Sequence, residues 1–457
     1  MKFVFFCTNS NFFTPDEINV SYIPKCKTEW LKFSQKFNEH TFFIVMQKPG
    51  LFLLDKNDLT SEKSVIEISK NLKIIFLPED ATTEDFVREI QALNPDMSSN
   101  ITYWISPFDW LSVKDSLIAE KLNQKGIKTF SHLTKTSQIC FDKRETHDFL
   151  TENSFPCAKG FYVHHEMFFA ERRFISIKEN VYKEYIFEKL KNMNFPIVIK
   201  DTLGLSSFGM DVCKTFQEAK HVLLSKKNNG DRLIEEFISG LSFGLEVYGH
   251  DGNYVFSPLF INSLNQFGLT SPKQNVKLGP VTNEKFHIKS LHKMLYSLAE
   301  KLNFRGIAQI DLVFSDEKWY IIEINSRISG MTQTVASSLG ISLYELIFYA
   351  TVGFDSYSKK LSSLIENSSF TFNMKFPLLQ KEKLEKLYDY EFVDFVNQIE
   401  NTKAKQLREA GYAEVIFGKE KSLKNLLQKL ETIKNDFKTE TEQRFYENAL
   451  MLAKEIS

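Results

Sequence analysis

The segment from Gly306 to Arg327 does most to constrain the fold. It runs Gly-Ile-Ala-Gln-Ile-Asp-Leu-Val-Phe to Phe314 and returns as Trp-Tyr-Ile-Ile-Glu-Ile-Asn-Ser-Arg from Trp319. β-Branched and aromatic residues dominate both runs, so the pattern predicts an antiparallel hairpin. With Asp316, Glu317 and Lys318 as a three-residue loop, Asp311 stands opposite Glu323, Gln309 opposite Asn325, and Arg327 follows on the same face by the period of two. Opposed carboxylates repel, and among Ile, Leu and Val they are partly desolvated as well. A cation between them relieves both costs. Two carboxylates and an amide, completed by phosphate oxygens, are the hard donors that Mg²⁺ prefers, so Asp311, Glu323 and Asn325 are candidate metal ligands. The plainer alternative is a pair of solvent-facing acids on an amphipathic hairpin.

The 457 residues exceed one compact core, and two to four units are expected. Up to about residue 130, short apolar runs (Lys2–Cys7, Thr41–Met46, Leu51–Leu54, Lys73–Leu77, Ile101–Ile105) alternate with helical segments such as Glu84–Leu93 and Asp115–Gln124. That alternation predicts an open, partly parallel α/β domain. Residues 131–240 form a second unit with a helix at Lys143–Glu152 and strands near Ala158–Val163, Pro196–Lys200 and Arg232–Ile238. Residues 241–353 form a third, where Leu291, Leu295, Leu298 and Leu302 recur on one helix face. The remainder, 354–457, is an α+β extension that announces no chemistry. Trp104, Phe108 and Trp110 fit core packing better than a substrate-flanking role.

A formal net charge of −1 leaves no footprint for nucleic acid or an anionic membrane. Five scattered cysteines fit neither a disulfide framework nor a zinc knuckle, and His164-His165 has no partner at ligand spacing. No apolar stretch approaches the roughly 18 residues of a membrane helix, and Met1–Phe6 fits a buried first strand better than a signal peptide. A cytoplasmic protein is expected.

Two further elements invite chemistry. Lys200 continues a buried apolar strand and needs an anionic partner; the loop Ser206-Ser207-Phe208-Gly209 soon after it exposes backbone N–H groups suited to phosphate oxygens, although an ordinary turn fits as well. The strand Leu233-Ile234-Glu235-Glu236-Phe237-Ile238 ends at the turn Ser239-Gly240; read blandly, it is an edge strand with two acids.

Asp142-Lys143, the Lys200 strand with its loop, Glu235–Gly240 and the Asp311/Glu323/Asn325/Arg327 hairpin, in that order, resemble the ATP-grasp superfamily over about residues 131–353. The resemblance implies an N-terminal open parallel-sheet domain (1–130), a small or lid lobe (131–240), a large metal-bearing lobe (241–353) and the C-terminal α+β extension. It also implies ATP and Mg²⁺ (or Mn²⁺) as cofactors. Lys143 and Lys200 would hold phosphates, and Ser206, Ser207, Phe208 and Gly209 would form the lid loop. Glu235, Glu236 and Ile238 would line the nucleotide, with Phe237 in the core. Where relatives carry an acid after the glycine turn this chain has Ser242, so Glu246 is assigned the ribose contact. Arg327 matches the arginine that steadies the carboxylate and the acyl phosphate. The implied reaction joins a small carboxylate to an amine, with amino acids or small peptides as substrates and L-amino-acid ligases and carbamoyl-phosphate-synthetase-like members as the nearer kin. A thiol or bicarbonate acceptor, or a catalytically silent nucleotide-binding regulator, are the alternatives. No protein nucleophile is required; a homodimer is an open expectation.

Overall fold

A computed structural model describes residues 1–8, 18–22, 26–47, 64–78, 80–102, 111–173, 176–203, 210–225, 228–263, 275–401 and 412–457. Three sheets organise them. The first has six strands in the order β4-β5-β3-β1-β6-β7: β1 (Lys2–Cys7), β3 (Thr41–Gln47), β4 (Val65–Ser69), β5 (Leu72–Leu77), β6 (Met97–Asn100) and β7 (Lys128–Thr129). It is parallel except at the β4–β5 edge, as strand–helix alternation requires. One face carries Val4, Phe6 and Val45 against the helices Thr83–Leu93 and Leu111–Gln124. Of the strand expected at Ile101–Ile105 only Ile101 and Thr102 are described and neither is in a strand; β6 directly before them, at Met97–Asn100, was not expected, and its Ser98 and Ser99 are fully buried. Burial inside a parallel sheet overrides the weak β-propensity of serine there. Leu51–Leu54 and the Trp104–Trp110 cluster lie outside the described residues.

The second sheet is antiparallel, with order β10-β9-β11-β8: β8 (Gly160–Val163), β9 (Ile197–Asp201), β10 (Met210–Cys213) and β11 (Arg232–Glu236). The helices Val181–Lys191 and Phe216–Leu224 cover one face through Ile186, Leu190, Ala219 and Leu223.

The third sheet has ten strands. Its path is β17-β16-β12-β14-β15-β18-β20-β19-β2, and β13 pairs with β12. It takes in β12 (Leu241–His250), β13 (Asn253–Phe256), β14 (Phe260–Asn262), β15 (Val276–Gly279), β16 (Gly306–Ser315) and β17 (Lys318–Asn325), together with β18 (Phe370–Phe376), β19 (Val393–Asn401), β20 (Tyr412–Glu420) and β2 (Ile18–Tyr22). The segments expected as separate units at 241–353 and 354–457 therefore share one sheet. They also share one core, in which Leu291, Leu295, Leu298 and Leu302 of the helix Ile288–Leu302 meet Phe372, Met374, Val415, Phe417 and Leu430. The reason lies in β15: with only β14 beside it, its outer edge would expose unpaired N–H and C=O groups, and β18 supplies them from Val276↔Met374 to Gly279↔Thr371.

The N-terminal sheet packs its other face on the helix Leu343–Ala350. Trp30 stacks on Tyr344 at 3.7 Å between centroids, and Phe3, Phe33 and Phe37 surround Phe348.

Candidate active site

The β16–β17 hairpin has the expected pairing at its open end for a different reason from the one expected. Its turn is two residues, Asp316 and Glu317, both at positive φ (48° and 59°), which matches a primed hairpin turn. The residue missing from the turn reappears as a β-bulge: Leu312 pairs with Ile321, and the next pair is Asp311 with Glu323. Asp311 thus faces Glu323, and Gln309 faces Asn325.

A chain of side-chain hydrogen bonds joins this face. Arg327 Nη2 donates to Asn325 Oδ1 at 3.0 Å, Asn325 Nδ2 donates to Gln309 Oε1 at 2.9 Å, and Gln309 Nε2 donates to Asp311 Oδ1 at 2.7 Å. The two acids have opposite electrostatic fates. Burial, then the Glu323 carboxylate opposite, push the Asp311 carboxyl up to about 6, against the Gln309 hydrogen bond and the Lys277 and Arg327 charges. Burial also raises Glu323, but Lys143, Lys200 and Arg327 together more than offset it, and the group ends below its ordinary value. Lys143 Nζ lies 2.9 Å from Glu323 Oε1. It is the first residue of the helix Lys143–Glu152, whose cap is the Asp142 carboxylate accepting from the Arg144 N–H, and its own N–H donates to Thr202 O at the end of β9.

In the second sheet, Lys200 of β9 and Glu235 of β11 form an ion pair, each less than a tenth exposed. Lys200 therefore has an anionic partner, as its buried position demands, and that partner is a residue expected to line the nucleotide. The Glu236 carboxylate accepts from Asn194 Nδ2 at 2.8 Å. Phe237, expected in the core, and Ile238 are both only half-buried, because β11 ends at Glu236 and the chain leaves the sheet toward the exposed Ser239 and Gly240. Ser206, Ser207, Phe208 and Gly209 lie outside the described residues.

Glu246 is placed differently from its expected ribose contact. It is fully buried on β12 and accepts from Thr332 Oγ1 at 2.5 Å, Tyr248 Oη at 2.7 Å and Ser329 Oγ at 3.2 Å. A carboxylate so enclosed holds the 329–332 turn directly beyond Arg327. Two neighbours escaped the sequence reading. Gly244 faces Asp311 across the sheet, and a Cβ there would come to 3.0 Å from Met331 Sδ and 3.6 Å from Asp311 Oδ1, so a larger residue would crowd Met331 beside the acid. The alternation Gly244, Glu246 along an otherwise apolar strand was the available signal. The other is Lys277, on β15, whose charge reaches Asp311.

Asp311, Glu323 and Asn325 offer hard oxygen donors on one face, with the two carboxylates directly opposed; that donor set fits Mg²⁺. Among the described residues no group of three or more His, Cys, Asp or Glu could hold a metal ion, so the amide of Asn325 has to complete the set, and Cys140, Cys157 and Cys213 form no disulfide.

The ATP-grasp domain family matches residues 140–331, the stretch that contains Lys143, Lys200, Glu235, Asp311, Glu323, Asn325 and Arg327. A carbamoyl-phosphate synthase of Methanobrevibacter smithii is 28% identical over 165 residues, 35% of this chain and 44% of the relative. A D-alanine–D-alanine ligase of Francisella tularensis subsp. novicida is 25% identical over 251 residues, 53% of this chain and 74% of the relative. The chain thus spans less than half the length of the first of these relatives. In fold it is similar to an L-amino acid ligase from Bacillus licheniformis, with a TM-score of 0.64 at 16% identity, covering 96% of this chain and 97% of the other. Residues 140–331 are an ATP-grasp domain.

Proposed function

We propose that the protein is an ATP-dependent carboxylate–amine ligase that activates a small carboxylic acid as an acyl phosphate and passes the acyl group to an amine, with amino acids or small peptides as substrates. What carries the reading is the hairpin face: two opposed acids, an amide and an arginine in one hydrogen-bonded row, with Lys143 at its edge.

In this reading Asp311, Glu323 and Asn325 would hold Mg²⁺, which would supply positive charge to the nucleotide phosphates. Lys143, beside the Glu323 carboxylate, and Lys200, on β9, would hold the phosphates. Glu235, Glu236 and Ile238 line the nucleotide. A carboxylate oxygen of the substrate attacks the γ-phosphorus and ADP leaves. The amine nitrogen then attacks the acyl carbon, the C–O bond to phosphate breaks, and the nitrogen sheds a proton as inorganic phosphate departs. Arg327 is held by Asn325 and by the carbonyl of Ile328, 3.2 Å from its Nη1, and it stabilises the oxyanion of that second step. The chain supplies position and charge.

The test is incubation with Mg·ATP and pooled L-amino acids, followed by ADP and phosphate. Release that depends on the pool supports the ligase. Release only with a thiol or bicarbonate moves the acceptor class, and binding without release under all mixtures identifies a silent nucleotide-binding protein.

A further inference from the structure

The third sheet is two-faced. Phe243, Leu245, Ile261, Val276, Leu278, Phe372 and Met374 point into the shared core, so their neighbours by the period of two point the other way. Strand registers place Asn262 opposite Lys277, Lys277 opposite Asn373, and Lys375 opposite Glu414. This puts Asn262, Lys277, Asn373, Lys375 and Glu414 on the face that also carries Asp311, Gly244 and Glu246.

The middle of that row is chemically incomplete. Lys277 is half-buried, and among the described residues it makes neither an ion pair nor a hydrogen bond. Burial, and then the Lys375 ammonium, hold it below the ordinary lysine value. Asn262 and Asn373, on the strands either side, are 6% and 1% exposed, and among the described residues the Oδ1 of each is a buried acceptor without a donor. The Asn373 amide orientation is fixed, because its Nδ2 donates to Glu414 Oε1 at 2.8 Å and to Thr334 Oγ1 at 2.6 Å. An unpaired buried acceptor costs about 1–3 kcal/mol, and a desolvated, unpaired ammonium costs more. Three such groups side by side, next to the metal face, are complementary to a ligand with one anionic end and one N–H-bearing end.

We infer that Lys277, flanked by Asn262 and Asn373, is the recognition subsite for an α-amino acid: Lys277 takes its carboxylate and the two amide oxygens take its amino group. This rests on the ligase reading above and narrows its substrate class. Neutral amide oxygens hold an amine without stabilising its ammonium form as a carboxylate would, which suits a nitrogen that must attack. Lys375, on the next strand, adds positive potential but keeps its own contact with Tyr412, whose ring centroid lies 4.3 Å from its Nζ.

The experiment compares wild type with Lys277→Met, which keeps the unbranched stem of the side chain and removes its charge, and with Asn373→Leu. Two readouts are taken on the full chain with pooled L-amino acids and, separately, with the same amino acids as carboxamides. One is the thermal shift in the presence of Mg·ADP; the other is ADP release from Mg·ATP. Wild type is expected to shift with the acids and at least tenfold more weakly with the amides. Lys277→Met should lose that discrimination, raise the half-saturating concentration of the pool at least tenfold, and keep the affinity for Mg·ADP. A fold-preserving Lys277→Met with an unchanged dependence on the pool overturns the subsite, as does a loss confined to nucleotide affinity. A pool-dependent shift without ADP release leaves the subsite standing and defeats the ligase reading. Asn373→Leu, which removes the amino-group contact and leaves Lys277 in place, should weaken the pool's effect on acids and amides alike; no effect overturns the role of the amide oxygens.

Discussion

Glu246 is a fully buried carboxylate whose side-chain partners are hydroxyls. Burial raises it to about 7 from 4.5, against the donors of Thr332, Tyr248 and Ser329. The folded state therefore holds a proton that the unfolded chain gives up near pH 4.5, and the protein loses stability as pH rises from there to about 7. Glu246→Gln has no such proton to lose. Urea midpoints should show the variant gaining on wild type across that window, by no more than about 3 kcal/mol; parallel curves would mean that Glu246 titrates normally. Because the carboxylate steadies the turn beyond Arg327, turnover should fall in this variant while nucleotide affinity holds. Arg327→Ala is expected to cut amino-acid-dependent turnover by about 100-fold, the scale for losing one oxyanion donor, with Mg·ADP affinity changed little in a calorimetric titration. Equal losses would take Arg327 away from the substrate. Residue identity was readable at the hairpin because opposed acids in apolar strands demand an explanation. At Glu246 a similar pattern misled, since position after the glycine turn does not reveal that Ser329 and Thr332 from a later segment, with Tyr248 of its own strand, close over the side chain.

The hairpin shows how an element can be right in outcome and wrong in construction. A three-residue loop and a two-residue turn with a later bulge insert the same number of residues, so both put Asp311 opposite Glu323. Hydrophobic periodicity cannot distinguish them, because Ile321 and Ile322 are interchangeable in pattern. The real turn places Glu317 at φ 59°, where glycine is unstrained. Glu317→Gly should stabilise the protein by roughly 0.5–1 kcal/mol without changing turnover, read as a raised urea midpoint; destabilisation would argue against the two-residue turn. The helix Ile288–Leu302 was legible throughout, since four leucines at helical spacing admit one buried face. β6 was not, because its Met-Ser-Ser-Asn sequence carries no strand signal apart from its neighbours.

For the whole molecule, the alternation of strands and helices in the N-terminal third fixed the parallel sheet, whereas the sharing of one sheet by residues 241–457 could not be read. Strand partners more than 90 residues apart, such as Val276 and Met374, leave no mark in local pattern. A chain cut after residue 353 would expose the β15 edge and strip Phe372, Met374, Val415 and Phe417 from the core. It is expected to aggregate or to lose cooperative thermal unfolding, and a soluble fragment melting sharply would show that the large lobe stands alone. The docking of the N-terminal sheet relies on the Trp30–Tyr344 stack; Trp30→Ala should cost about 3–5 kcal/mol.

The claim under all of this is that the hairpin acids share a divalent cation with the nucleotide. Electron paramagnetic resonance of Mn²⁺ titrated into the protein with ADP tests it directly. Wild type should take up Mn²⁺ in an ADP-dependent way, and Asp311→Asn with Glu323→Gln should abolish that uptake while the fold, followed by circular dichroism, is retained. Undiminished Mn²⁺ binding in the double variant would contradict the account.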